Sequence, residues 1–291
     1  MAVILSERAG TGREELIRQP AAGRRSRFAA AADRAARSIG QIALFGVFGI
    51  CGALISALIV PACSAFVRDR VRRAHGVRNV VHRIVRTCVG TMRALRLIDL
   101  EIVGLARVPA PGSLIVANHP SLIDALIFLF YIRGAIVVAK RSLQINPFTS
   151  GAIRGADFVV NADALSLIDE CRARIAAGES LVLFPECTRT GDEGVIRLRR
   201  GAAHIAVRAG CPVIPVTIEL SEPLLNKESR WWLAPKVRPK VRVMGHAPID
   251  PAQFLQDGSS VSLAARRLTE HLREFYISEL NVREPTRCES A

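Results

Sequence analysis

The stretch Ser113-Leu114-Ile115-Val116-Ala117-Asn118-His119-Pro120-Ser121-Leu122-Ile123-Asp124 decides how the rest of the chain is read. Its first five residues form a short, nearly all-apolar run of the kind that makes a buried strand. Pro120 and Ser121 suit the start of a helix, so the stretch predicts strand, turn, helix. In α/β folds, the junction where a strand ends and a helix begins is where reactive side chains are presented. His119 falls on that turn.

Further runs of strand character follow at 135–139, 157–160, 180–184, 213–218 and 240–244. Between them lie helical stretches at 121–131, at 164–177 with Gly178 as a stop, and at 201–209 with Gly210 likewise. A last helix covers 260–280. Strands alternating with helices predict an α/β domain over 99–280, with a mixed, largely parallel sheet flanked by helices. No internal repeat or long linker divides it, and 281–291 read as a tail.

Upstream the chemistry changes. Residues 38–67 carry no charge, and 42–60 are nearly all apolar. As a helix the charge-free run would be roughly 45 Å long, against about 30 Å of bilayer hydrocarbon. We therefore expect an N-terminal membrane-inserted helix or helical hairpin over 38–67. A tilted span, a break near Pro61 and a re-entrant hairpin all fit. Arg24, Arg25, Arg27, Arg34 and Arg37 precede the run, and Arg68, Arg70, Arg72 and Arg73 follow it. Positive flanks draw both ends to the cytoplasm, which favours a hairpin or interfacial insertion over a single span. Gly46, Gly49 and Gly52 form a small-residue stripe suited to close helix contact. Residues 1–37 read as a basic, mobile tail. Residues 68–98 read as a basic amphipathic helical linker, fit equally to lie on lipid headgroups or to pack on the domain. Trp231 and Trp232 pose a similar choice: bilayer interface or a cap on the sheet.

Half of the 291 residues are hydrophobic, mean hydropathy is +0.26 and the formal charge is +14. Anionic lipid, an acidic carrier protein or nucleic acid would complement that charge. Aromatics at 5% are too scarce for a base-stacking surface, so nucleic acid is not an expected partner. The seven cysteines are odd in number and dispersed, with no C-x-x-C pair. That argues against a disulfide framework or zinc site and for a reducing compartment.

The chemistry concentrates in two strings. In the first, His119 on its turn can fold back over the first helical turn towards Asp124. A carboxylate on one ring nitrogen fixes the tautomer and leaves the other nitrogen as a base. Taken alone, a capping histidine with Asp124 complementing the helix dipole explains this string as well. The second string, Phe184-Pro185-Glu186-Cys187-Thr188-Arg189-Thr190, also follows a predicted strand. Arg197, Arg199 and Arg200 come next, then Gly201 opening a helix, a combination suited to a phosphate. The two together are more specific than either.

Asn-His-Pro-Ser followed by Asp, and Phe-Pro-Glu-x-Thr-Arg, resemble the glycerolipid acyltransferases typified by 1-acylglycerol-3-phosphate acyltransferase. The stretch 198–202 and the Val213–Ile218 strand agree with that family, and the resemblance covers about residues 95–250. It implies a membrane-attached O-acyltransferase of phospholipid biosynthesis, active on the cytoplasmic side of the cell membrane. His119 and Asp124 would be catalytic. Glu186, Thr188, Arg189, Arg199, Arg200 and Gly201 would bind substrate. The partners implied are membrane lipids and a donor, acyl-CoA or acyl carrier protein, with no cofactor. Two positions depart from the family pattern. Its usual Gly after Phe-Pro-Glu is Cys187 here, and the Arg that ends its intermediate motif is Asn161, with Arg154 on the other side of the strand start. The second departure opens the acceptor to lysolipids other than lysophosphatidic acid, or to another hydroxyl lipid.

Overall fold

The computed structural model describes residues 24–105, 111–161, 163–186, 197–226, 228–255 and 259–280. Its centre is a six-stranded sheet in the order β1-β8-β7-β2-β6-β3. The strands are β1 (Asp99–Val103), β2 (Leu114–Ala117), β3 (Ile136–Val137), β6 (Leu181–Leu183), β7 (Val213–Leu220) and β8 (Lys240–Gly245). All neighbours run parallel except β7 and β8. A parallel pair joins β4 (Ala139–Lys140) to β5 (Val160–Asn161). The fold is thus α/β on a mixed, largely parallel sheet. Every residue of β2 and β6 is buried. Since alternate side chains point to opposite faces, both faces of those strands are covered.

Nine α-helical segments are described: α1 (Arg24–Leu54), α2 (Val60–Phe66), α3 (Arg70–Ala94), α4 (Asp124–Tyr131), α5 (Arg141–Ile145), α6 (Ser150–Gly155), α7 (Ala164–Ala176), α8 (Gly201–Ala209) and α9 (Val261–Leu280). Helices α8 and α9 pack on each other and on β2 and β7, while α4 packs on α3 and β3. Residues from α3, the sheet and α9 share one hydrophobic core.

The N-terminal region differs from expectation in its start and continuity. Helix α1 begins at Arg24, so residues 24–37 of the expected mobile tail are helical. The alanine-rich segment 28–36 is a strong helix former, and arginines do not interrupt a helix. Residues 1–23 and 281–291 lie outside the described residues. There is no break at Pro61. A π-helical turn, Ile55–Ile59, precedes it and accommodates a residue that lacks an N–H and crowds the carbonyl one turn back. Among the described residues, the 39-residue stretch Phe28–Phe66 is long and apolar enough to cross a membrane. Near Val67 the chain turns, and the Asp69 carboxylate caps α3 by accepting from the Val71 and Arg72 N–H groups at 2.8 and 3.0 Å.

This layer is docked on the domain. A Cβ on Gly52 would stand 1.8 Å from the Phe148 carbonyl oxygen, so only glycine lets α1 approach the backbone ahead of α6. Gly49 also faces Phe148, whereas Gly46 faces open space, so the expected glycine stripe is a contact over two of its three positions. One turn on, Ser56 Oγ accepts from the Gly151 N–H at 3.0 Å. Helix α3 packs on the domain through Val77, Val81, Val85 and Val89.

Candidate active site

The parallel strands β2, β6 and β3 end on one rim of the sheet. At the end of β2, the buried Asn118 side chain donates to the Ile218 carbonyl at 2.9 Å and accepts from the Ile218 N–H at 2.7 Å. A side-chain amide supplies both a donor and an acceptor, so it extends the β2–β7 pairing one residue past the strand and sets the direction of the next residue, His119. Tyr276 on α9 braces the same strand, its hydroxyl donating to the Val116 carbonyl at 2.6 Å.

The turn then closes on itself. His119 Nδ1 lies 2.8 Å from Asp124 Oδ2, and the same oxygen accepts the Ser121 N–H at 2.7 Å. Helix α4 starts at Asp124 rather than at Ser121. This lets the pair meet, because residues five apart on a regular helix diverge by about 140°. Asp124 is fully buried and the His119 side chain is 18% exposed. A buried carboxylate is tolerable only when paired and hydrogen-bonded, and here it holds the proton on Nδ1. Nε2 is left with its lone pair available. The ring of Phe184 stacks on the imidazole at 4.3 Å. That fixes the ring plane.

The second string meets the first through its backbone. Glu186 Oε1 accepts the His119 N–H at 3.0 Å, tying the ends of β2 and β6 together. The Arg199 N–H donates to the Pro185 carbonyl at 2.9 Å, so residue 199 lies beside the end of the Phe184-Pro185-Glu186 segment. The side chains of Arg199 and Arg200 are exposed, and Gly201 opens α8. Thr188, Arg189 and Cys187 lie outside the described residues. The structure therefore brings together His119, Asp124, Glu186 and the Arg199 backbone, and places Arg200 and Gly201 next along the chain.

Three contributions are not read from sequence: the strand-splicing role of Asn118, the stacking of Phe184, and the position of Lys140. Lys140 stands in register with Asn161 across the β4–β5 pair, and both are exposed. It lies three residues past the end of β3, in the separate β4–β5 pair beyond the rim where β3 ends. The signal for Asn118 was its place straight after a buried strand; for Lys140 it was a lysine following an apolar run. Arg154 is exposed on α6, beside a cleft it shares with Arg70, Arg73 and Asp157. His246 shares a hydrogen bond with Thr217 Oγ1 at 2.9 Å, on the β7–β8 side of the sheet. Burial pushes its imidazole below the usual range, with Glu279 opposing.

Comparison with known proteins accords with this arrangement. An acyltransferase family model matches residues 99–219. The mouse 1-acyl-sn-glycerol-3-phosphate acyltransferase alpha is 27% identical over 209 residues, covering 67% of this chain and 70% of that protein. The bovine protein of that name is 26% identical over 220 residues, covering 73% and 72%. The crystal structure of the 1-acyl-sn-glycerophosphate acyltransferase PlsC from Thermotoga maritima matches with a TM-score of 0.62 at 26% identity, over 85% of this chain and 98% of that one. The strand, turn and helix that carry His119 and Asp124 lie inside the matched segment, and over residues 99–219 this chain is similar to the acyltransferase family.

Proposed function

We propose that the protein transfers a fatty acyl group from a thioester donor, acyl-CoA or acyl carrier protein, to the hydroxyl of a lysophosphatidic acid-like acceptor. The reaction needs no resident cofactor and takes place on the cytoplasmic face of the cell membrane. The observation that carries this reading is the His119–Asp124 pair, with Nδ1 2.8 Å from the buried carboxylate at the end of β2. Nε2 takes the hydroxyl proton as the acceptor oxygen attacks the thioester carbonyl. The tetrahedral intermediate collapses, the C–S bond breaks, and the imidazolium returns the proton to the departing thiolate. No acyl-enzyme forms. Asp124 balances the imidazolium charge, and a positioned base of this kind contributes about 10²–10⁴-fold. Arg189 and Arg199 are the candidates for the acceptor phosphate, with Thr188, Arg200 and Gly201 beside them.

A second reading, acylation of a different lysolipid or a specialised hydroxyl lipid, is favoured by Asn161. An arginine there would set a second cation opposite Lys140, and the asparagine leaves Lys140 as the cation of that pair. The test is acyl transfer with a panel of acceptors: lysophosphatidic acid, lysolipids with a capped phosphate, and phosphate-free monoacylglycerols. Preference for lysophosphatidic acid is the expected outcome. Preference for a capped or phosphate-free acceptor would retain the chemistry and transfer the specificity to the second reading. No transfer to any of them would sink both.

A further inference from the structure

Helix α1 is apolar over most of its length but has one polar side. Arg34, Arg37, Ser38 and Gln41 recur at i, i+3, i+4 and i+7, hence on one face. All four hold the backbone of a single loop between β7 and β8. Arg34 Nε donates to the Ala234 carbonyl at 2.8 Å, and Arg37 donates to the Pro235 and Lys236 carbonyls at 3.0 and 3.1 Å. Gln41 donates to the Trp231 carbonyl, and the Ala234 N–H donates to Ser38 Oγ at 3.0 Å. Arg37 and Gln41 are buried in doing so. The loop backbone is thus fixed to the helix, and its large side chains point outward: Trp231 is 49% exposed, Trp232 46% and Leu233 41%.

A cap on the sheet would bury these rings. Instead Trp231 meets Phe45 of α1 edge-on at 5.8 Å, and Trp232 meets Trp231 at 5.7 Å. Ile42, one turn before Phe45, and Ile39 are exposed on the same helix, so the apolar surface runs unbroken from loop to helix. Arg230 and Lys236, both exposed, flank the triplet. Tryptophan prefers the boundary between hydrocarbon and headgroups, and cations beside it complement anionic lipid. We propose that residues 230–236 form a second membrane contact, seating Trp231, Trp232 and Leu233 at the headgroup boundary of a bilayer containing anionic lipid. With α1 it makes a two-element base that fixes how the domain faces the membrane. The inference rests on the membrane placement of α1 and adds a contact from the far end of the chain.

The chain holds two tryptophans, and both are in this loop, so native fluorescence reports on it alone. The full chain is mixed with phosphatidylcholine–phosphatidylglycerol vesicles carrying bromines either high or low on the acyl chains. A blue shift is expected, with stronger quenching by the shallow bromines than by the deep ones. Trp231→Phe and Trp232→Phe, measured singly, should each keep the quenching of the remaining ring. Arg230→Gln and Lys236→Gln should each weaken partitioning into the anionic vesicles about fivefold, at about 1 kcal/mol per charge. Co-sedimentation with vesicles but no quenching would overturn the loop contact while leaving the membrane placement of α1 intact. Rings shielded by self-association, detected as a concentration-dependent dimer in ultracentrifugation, would assign the patch to a second copy instead. Failure to bind vesicles at all would overturn both.

Discussion

His119 and Asp124 are five residues apart and meet within one turn, whereas the arginines of α1 reach carbonyls about two hundred residues further along the chain. Both are polar clusters in apolar surroundings, and both place charge where little water reaches. The first is closed by local geometry: a β2 end, a Pro-Ser turn and a late helix start. The second exists only when β7, β8 and their loop are already folded against α1. A local cluster can be recognised as a string of letters, while a long-range one hides among residues that look like flanking charge. The difference predicts how each should fail. Damage to the first should remove chemistry and spare the fold, and damage to the second should do the reverse.

The sharpest way to break that contrast is at the dyad. His119→Ala should lower turnover by about 10³-fold or more, at the upper end of what a general base supplies, with an unchanged melting profile. Asp124→Asn keeps the shape but can turn its amide donor towards Nδ1, favouring the wrong tautomer. It should cost about 10²–10⁴-fold in kcat with a smaller change in KM. Turnover surviving in His119→Ala would exclude the base mechanism. At the other cluster, Arg37→Met should strand the Pro235 and Lys236 carbonyls. The expected loss is about 3 kcal/mol, or a Tm lower by roughly 6–12 °C. Transfer to a soluble short-chain acceptor measured below that Tm should continue.

The smallest effect is expected where the helical layer meets the domain through charge. Asp157 accepts from Arg174 at 2.6 Å and from Arg70 at 3.0 Å. Burial pushes its carboxyl up, but these two guanidinium partners outweigh it and hold the carboxyl below its ordinary range. Its stabilisation is therefore complete above about pH 4, the unfolded-state value. It is lost as pH falls through the lowered folded value. Asp157 sits at φ 55°, a conformation asparagine also tolerates. Asp157→Asn should thus remove charge without straining the backbone and cost about 1–2 kcal/mol near neutrality. The gap in Tm between wild type and variant should close as the pH is lowered. A gap independent of pH would mean that the ion pairs contribute nothing.

Legibility in the sequence follows the same division. The strands at 114–117, 181–183 and 213–220 stood out because they are buried on both faces and read as continuous apolar runs. Strand β1 did not: Asp99-Leu100-Glu101-Ile102-Val103 alternates in exposure at the sheet edge and follows a helix without a strong turn signal. The short helices α5 and α6 were missed because α5 is held by α6, β4 and β5, and α6 by the π-helical turn, α3 and α1, rather than by their own periodicity. The run expected at 157–160 yields a strand only at Val160–Asn161, since Asp157 takes a turn conformation and joins the arginine network instead.

The sequence by itself determined the α/β class, the apolar N-terminal layer and the two strings that carry His119, Asp124 and Glu186. Those depend on hydrophobic period and on residues within a few positions of one another. Only the tertiary structure decided the strand order, the Asn118 splice to β7, the ring of Phe184 beneath His119 and the use of the α1 arginines to hold a loop near the other end of the chain. The strand order and the ring contact depend on how elements remote in sequence pack, and the Asn118 splice and the arginine contacts on which distant backbone groups are left unpaired once the core has closed. Those hydrogen-bonding debts arise from packing, and a linear pattern of residues does not record them.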